Sequence, residues 1–252
     1  MDLAGQVAVI TGGSKGIGKA VALAFSARGA RIIVGFSRDA RAANQTIEEI
    51  SGAGGEAVAV QGDVSIAQTS QRLVDAAHER WGRLDVWMNN AGADVLTGAA
   101  RALPIDEKLR LLIEVDLMGT FHGSRAAGAA MRQRSGGSII NVAWDHVWHG
   151  YASDYGVLFG ASKGGVAGMS ASLARQLAPN VRVNVIAPGW IKTDWGTHGV
   201  GTTQDARIVG MTPMARWGET ADIASAAVFL ASDAASFITG QVIAVNGGVV
   251  MR

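Results

Sequence analysis

Val7-Ala8-Val9-Ile10 runs without a break into Thr11-Gly12-Gly13-Ser14-Lys15-Gly16-Ile17-Gly18, and an amphipathic stretch from Lys19 to Arg28 follows directly. An uninterrupted apolar run of this length predicts a strand buried on both faces. Glycines after it permit a tight turn and close approach of backbone to a ligand. The free amides and dipole of the following helix favour an anion such as pyrophosphate. Strand, glycine-rich turn and helix in this order therefore predict a dinucleotide-binding unit, although a glycine-rich turn alone is a weak signal.

Working outward, short Val- and Ile-rich runs recur between longer helical stretches: Arg31-Phe36, Ala57-Gln61, Leu84-Met88, Gly137-Val142, Val181-Ala187 and Val242-Val245. With the first run they predict a seven-stranded parallel sheet, doubly wound, with helices on both faces. The chain of 252 residues shows no linker, internal repeat or low-complexity tract, so one α/β domain spanning 1–252 is expected. The segment from Trp190 to Trp217, rich in Gly, Thr and Trp, breaks the rhythm; a substrate lid over 190–217 is expected there.

Composition narrows the function classes. A formal net charge of +1, with no block of Lys or Arg, offers no footprint for nucleic acid or a membrane surface. The absence of cysteine removes disulfide and thiolate chemistry. Met1-Asp2-Leu3 lacks a basic run and Val7-Ile10 is too short to be a signal or a span, so a cytoplasmic protein acting on a small molecule is expected.

The glycine spacing, at 12, 16 and 18, resembles that of the short-chain dehydrogenase/reductase family, and further segments fall into that family's order. Gly62-Asp63-Val64 resembles its adenine-side turn, Asn89-Asn90-Ala91-Gly92 its strand-four motif, and Pro188-Gly189-Trp190-Ile191-Lys192-Thr193 its nicotinamide-side loop. Ile238-Thr239-Gly240-Gln241 and Asn246-Gly247-Gly248 match its C-terminal signature, so the resemblance covers essentially the whole chain. It implies a Rossmann-type fold, a homotetramer and a nicotinamide dinucleotide. Gly12, Ser14, Lys15, Gly16, Ile17 and Gly18 would meet its phosphates. Asp63, Val64, Asn90, Ala91 and Gly92 would line its middle, and Lys163, Pro188, Gly189, Ile191 and Thr193 its nicotinamide end. At the end of the second strand, Gly35-Phe36-Ser37-Arg38 carries no acid before Asp39. NAD binders place a carboxylate there for the ribose hydroxyls, whereas Arg38 and Lys15 beside Ser37 suit a 2′-phosphate. The expected cofactor is NADP(H).

In the resembled family an Asn, a Ser, a Tyr and a Lys act together, the Tyr four residues before the Lys. Ser162-Lys163-Gly164-Gly165 matches the Lys segment, but four residues earlier stands Phe159. The Ser place, three residues after Asn141, holds Trp144, and the Asn place in Val115-Asp116-Leu117-Met118-Gly119-Thr120-Phe121 holds Asp116. Ketone reduction needs a proton for the new alkoxide, and Phe159 has none to give. Asp116 is expected to pair with Lys163, and Asp145 and Tyr155 are candidate replacement donors. Asp145, His146 and His149 lack a convincing further ligand for a metal, so none is expected. Trp144, Trp148, Trp190, Trp195 and Trp217 fall in segments that border the family's substrate pocket, predicting an aromatic wall suited to planar, apolar or cationic ligands. Three functions stay open on the residues alone. The first is an NADP(H)-dependent reductase of an iminium or conjugated C=C bond. The second is a non-redox isomerase, lyase or cyclase on the same scaffold. The third is a silent subunit of a hetero-oligomer.

Overall fold

The computed structural model describes residues 2–134, 136–193 and 202–251. Strand β1 (Val7–Thr11) passes through α1 (Gly16–Ser26) to β2 (Arg31–Phe36), then α2 (Ala40–Gly52), β3 (Ala57–Gln61) and α3 (Ala67–Trp81). The second half begins with β4 (Val86–Asn89), α4 (Ile105–Leu112), a π-helical turn (Ile113–Met118) and α5 (Gly119–Arg132). Strand β5 (Gly137–Val142), the long α6 (Asp154–Leu177) and β6 (Val181–Pro188) follow. The chain closes with β7 (Ile191–Lys192), α7 (Thr202–Met211), β8 (Gly218–Glu219), α8 (Thr220–Ala231) and β9 (Val242–Val245).

Seven strands form one parallel sheet in the order β3-β2-β1-β4-β5-β6-β9, the doubly wound arrangement expected from the alternating runs. Its strands read as unbroken apolar runs because successive side chains alternate between two covered faces. Ala8, Ile10, Ile32, Val34 and Met88 pack with Val21 and Phe25 of α1 and Ile223 and Ala227 of α8. Val7, Val9, Ile33, Trp87 and Ile139 pack on the other face, with Leu73 of α3, Met131 of α5 and Leu177 of α6. Full burial of each such side chain contributes roughly 1.5–3 kcal/mol. No described helix is long and apolar enough to cross a membrane.

The sequence runs left one element unforeseen. Ile191 and Lys192 pair with Gly218 and Glu219 in a separate two-stranded ladder, which joins the two ends of the 190–217 segment. Residues 194–201, including Trp195 of the expected wall, lie outside the described residues.

A buried polar chain fastens the sheet's centre to α5 and α6. Trp87 Nε1 donates to Asn89 Oδ1 at 2.7 Å; Asn89 Nδ2 donates to Asn141 Oδ1 at 2.8 Å and to Ser124 Oγ at 3.0 Å; Asn141 Nδ2 donates to Ser170 Oγ at 2.8 Å. Each buried group left unpaired costs about 1–3 kcal/mol. Asn89→Leu strands the Trp87 N–H, and is expected to lower the unfolding free energy by about 3 kcal/mol. Urea unfolding should show an earlier midpoint with an unchanged slope.

Candidate functional site

Strand order reverses between β1 and β4, and parallel sheets open a crevice at that point, beyond their carboxyl ends. A cleft of about 1100 Å³ lies there. At its floor Gly12 and Gly16 adopt left-handed backbone, φ +63 and +51. A Cβ on Gly18 would stand 2.2 Å from Gly12 O and 2.5 Å from Asn90 Nδ2, so only glycine lets α1 start this close to the turn. Asn90 staples the turn, donating through Nδ2 to Thr11 O and Gly12 O at 3.1 Å each. Lys15 caps α1 with no side-chain hydrogen bond, and no acidic residue stands in the first turn. The helix's leading amides and positive dipole end are thereby left for an anion. This cradle fits the diphosphate of a dinucleotide.

Most residues expected at the cofactor line this cleft. Ser14, Lys15, Gly16 and Ile17 lie at the helix start, and Ser37 and Arg38 follow β2. Asp63 and Val64 follow β3, Asn90, Ala91 and Gly92 follow β4, and Pro188, Gly189, Ile191 and Thr193 follow β6. Gly18 stands behind the turn instead, as packing. Lys15 is ion-paired with Asp39, whose carboxylate also caps α2 by accepting from Ala42 N at 2.9 Å. The hydrogen bond from Lys15, then that from Ala42, holds the Asp39 carboxyl below the usual carboxylate range. Exposed Arg38 has no ion-pair partner among the described residues, which leaves it as the rim cation that Asp39 does not engage.

At the other end of the cleft Lys163 and Phe159 share a face of α6, one turn apart. Lys163 Nζ lies 3.1 Å from Asp116 Oδ2 and donates to Val142 O at 3.3 Å. Asp116, on the π-helical turn, is 1% exposed, and its Oδ1 accepts from Ala93 N at 2.8 Å. The expected pair is therefore present and buried. Trp144 follows β5 and lines the cleft, its ring centroid 6.2 Å from that of Phe159. Trp144 stacks on His146 at 5.0 Å, and both rings meet Tyr151 edge-on. Tyr151 meets Trp190, which meets Trp217, with centroids 6.3 and 6.2 Å apart. The rings thus form one chain of contacts, of which Trp144, Phe159, Trp190 and Trp217 line the cleft. Tyr151 was not singled out in the sequence, since it stands in no motif and only its ring contacts reveal it. Equally unforeseen are Leu96, Leu103, Leu111 and Val115, which line the cleft from the segment between β4 and α5.

Two candidate proton donors, Asp145 and Tyr155, stand outside the cleft lining. Asp145 is buried, with Oδ1 accepting from His146 Nδ1 at 2.7 Å and Oδ2 from Asn246 Nδ2 at 3.1 Å. It fastens the loop after β5 to the C-terminal segment and is not part of the cleft lining. Tyr155 lies on the first turn of α6, 36% exposed, with Lys108 Nζ 5.4 Å from its ring centroid, and it too is outside the lining. Trp148 is 46% exposed and away from the cleft. Trp217 lines it, its N–H donating to Asp205 Oδ1 at 2.7 Å. Among the described residues no three His, Cys, Asp or Glu side chains gather as a metal site.

Comparison with known proteins agrees with this geometry. A family model described as enoyl-(acyl carrier protein) reductase matches residues 12–250. An uncharacterized oxidoreductase of Methylorubrum extorquens is 40% identical over 98% of both chains. The 3-oxoacyl-[acyl-carrier-protein] reductase of Synechocystis is 37% identical, covering 99% of this chain and 98% of its own. Among solved structures, a 7α-hydroxysteroid dehydrogenase complexed with NADH and 7-oxo glycochenodeoxycholic acid superposes with a TM-score of 0.90 at 32% identity, over 100% of this chain and 96% of that one. The chain belongs to the short-chain dehydrogenase/reductase family of oxidoreductases.

Proposed function

We propose that this chain is an NADP(H)-dependent reductase that works without the family's tyrosine and serine, acting on an iminium or a conjugated C=C bond in a planar small molecule. The observation that carries it is the mixed state of one cleft. Its dinucleotide cradle and Lys163 line one end-to-end cleft, while the resemblance puts Phe159 and Trp144 at the places of the family's Tyr and Ser. A relative that had abandoned redox chemistry had no need to keep both ends of a cofactor site.

When bound, the reduced dinucleotide supplies a hydride. The glycine turn and the start of α1 hold its diphosphate, Arg38 selects a 2′-phosphate, and Lys163 hydrogen-bonds the nicotinamide-side ribose with the proton that Asp116 and Val142 leave over. Phe159 and Trp144 would supply the apolar surface on which a flat substrate packs at the nicotinamide end of the cleft. The 190–217 segment acts as the lid, with Trp190 and Trp217 meeting at its two ends. The proposed assembly is a cytoplasmic homotetramer, as family membership implies.

Titration with NADPH and NADH, followed by tryptophan fluorescence, should show selective NADPH binding. Arg38→Leu should weaken NADPH by roughly 10- to 100-fold, the worth of a charge-assisted phosphate contact, and leave NADH unchanged. Equal binding of both dinucleotides by the unaltered protein would rule out the NADP(H) assignment. Steady-state assays should show NADPH oxidation with cyclic imines or enones and none with simple ketones. The combined change Phe159→Tyr, Trp144→Ser and Asp116→Asn is expected to bring in slow ketone reduction.

A further inference from the structure

The three departures at the chemical end of the cleft share one electrostatic direction. Replacing the tyrosine by Phe159 and the serine by Trp144 removes hydroxyl donors that stabilise a developing oxyanion. Replacing the asparagine by Asp116 cancels the charge of Lys163 within a buried 3.1 Å pair, so the cation nearest the reacting centre no longer acts as an uncompensated positive charge. Among the described residues the other cations lining the cleft are Lys15 and Arg38, both on the loops after β1 and β2. Trp144, Phe159, Trp190 and Trp217 line this end, Trp144 against Phe159 and Trp190 against Trp217, with Tyr151 joining the two pairs. Aromatic faces attract cations, most strongly where water is excluded. A conjugated ketone is served less well, because hydride addition places negative charge on its oxygen and Phe159 has no hydroxyl to donate to it.

Resting on the reductase reading, we infer that the substrate carries its positive charge before reaction: a planar iminium, recognised by the Trp144–Trp190 wall and tolerated because Asp116 neutralises Lys163. The step balances without a proton donor. The C=N⁺ carbon takes the hydride, the π pair becomes the nitrogen lone pair, the nicotinamide is oxidised, and a neutral amine results. Charge is lost from the substrate in that step, so the product binds the wall less tightly than the substrate does.

The test is calorimetric and independent of turnover. The protein is loaded with the redox-inert tetrahydro form of NADP, whose ring is uncharged. It is then titrated with an N-methyl dihydroisoquinolinium salt and with dihydronaphthalene, its neutral isostere. The cation should bind about tenfold tighter or better. Asp116→Asn, which frees the charge of Lys163, and Trp144→Leu should each cut that preference severalfold, with a single cooperative urea transition retained as the check on folding. Equal or tighter binding of the isostere by the unaltered protein would overturn the inference, as would a preference unmoved by both substitutions. Cation binding without NADPH oxidation by the same salt would keep the cation site and defeat the reductase reading. NADPH oxidation by neutral enones with no cation preference would do the reverse.

Discussion

A lysine ammonium and a carboxylate, 3.1 Å apart and almost sealed from water, hold the chemical end of this cleft in shape. Either charge alone in that position would be costly, since a buried charge deprived of its partner destabilises by roughly 3–5 kcal/mol. Together, and with their remaining atoms bonded to Ala93 N and Val142 O, they join α6, the π-helical turn, the loop after β4 and the end of β5. π-Helical turns recur at functional sites because the extra residue redirects a side chain. Here that turn aims Asp116 beneath Gly92, where a Cβ would sit 3.4 Å from its Oδ1.

The sheet was legible because parallel strands covered on both faces must be apolar throughout, and seven such runs stand out between amphipathic stretches. The cradle was legible because glycine spacing records a backbone requirement that no other residue meets. Asp145 was not, although it adjoins Trp144. Trp144 is extended, φ −148 and ψ 142, and successive side chains on extended backbone point to opposite sides. With Trp144 facing the cleft, its neighbour faces the C-terminal segment. Tyr155 fails for a related reason. Eight residues along a helix span about 12 Å, which places it two turns from Lys163, against Lys108 and solvent.

The aromatic wall shows what sequence reading reaches only in part. Trp144, Trp190 and Trp217 could be placed near the cleft from the segments they occupy, but the link from Trp144 to the directly touching pair Trp190 and Trp217 depends on Tyr151, which bridges Trp144 and Trp190 across two loops. The ladder of β7 with β8 is equally silent in the sequence, since two residues on each side carry no period. Its effect is nonetheless large. Gly218 N donates to Trp190 O at 2.9 Å, so Trp190 and Trp217 are held beside each other at the base of the 190–217 segment.

Taken singly, each residue that the resemblance sets against the family's catalytic places looks like a loss: Phe159 has no hydroxyl, Trp144 is an indole in place of a small donor, and Asp116 sets a carboxylate beside Lys163. Local rules broken at a site without compensation mark decay, while rules broken in a consistent direction mark a different task. The direction here is set by charge. A site built for ketones needs donors and a positive field around one oxygen, and under the proposed reading this one carries ring faces and an ion pair there instead. Decay of an oxyanion site would scatter polar and apolar residues without regard to sign.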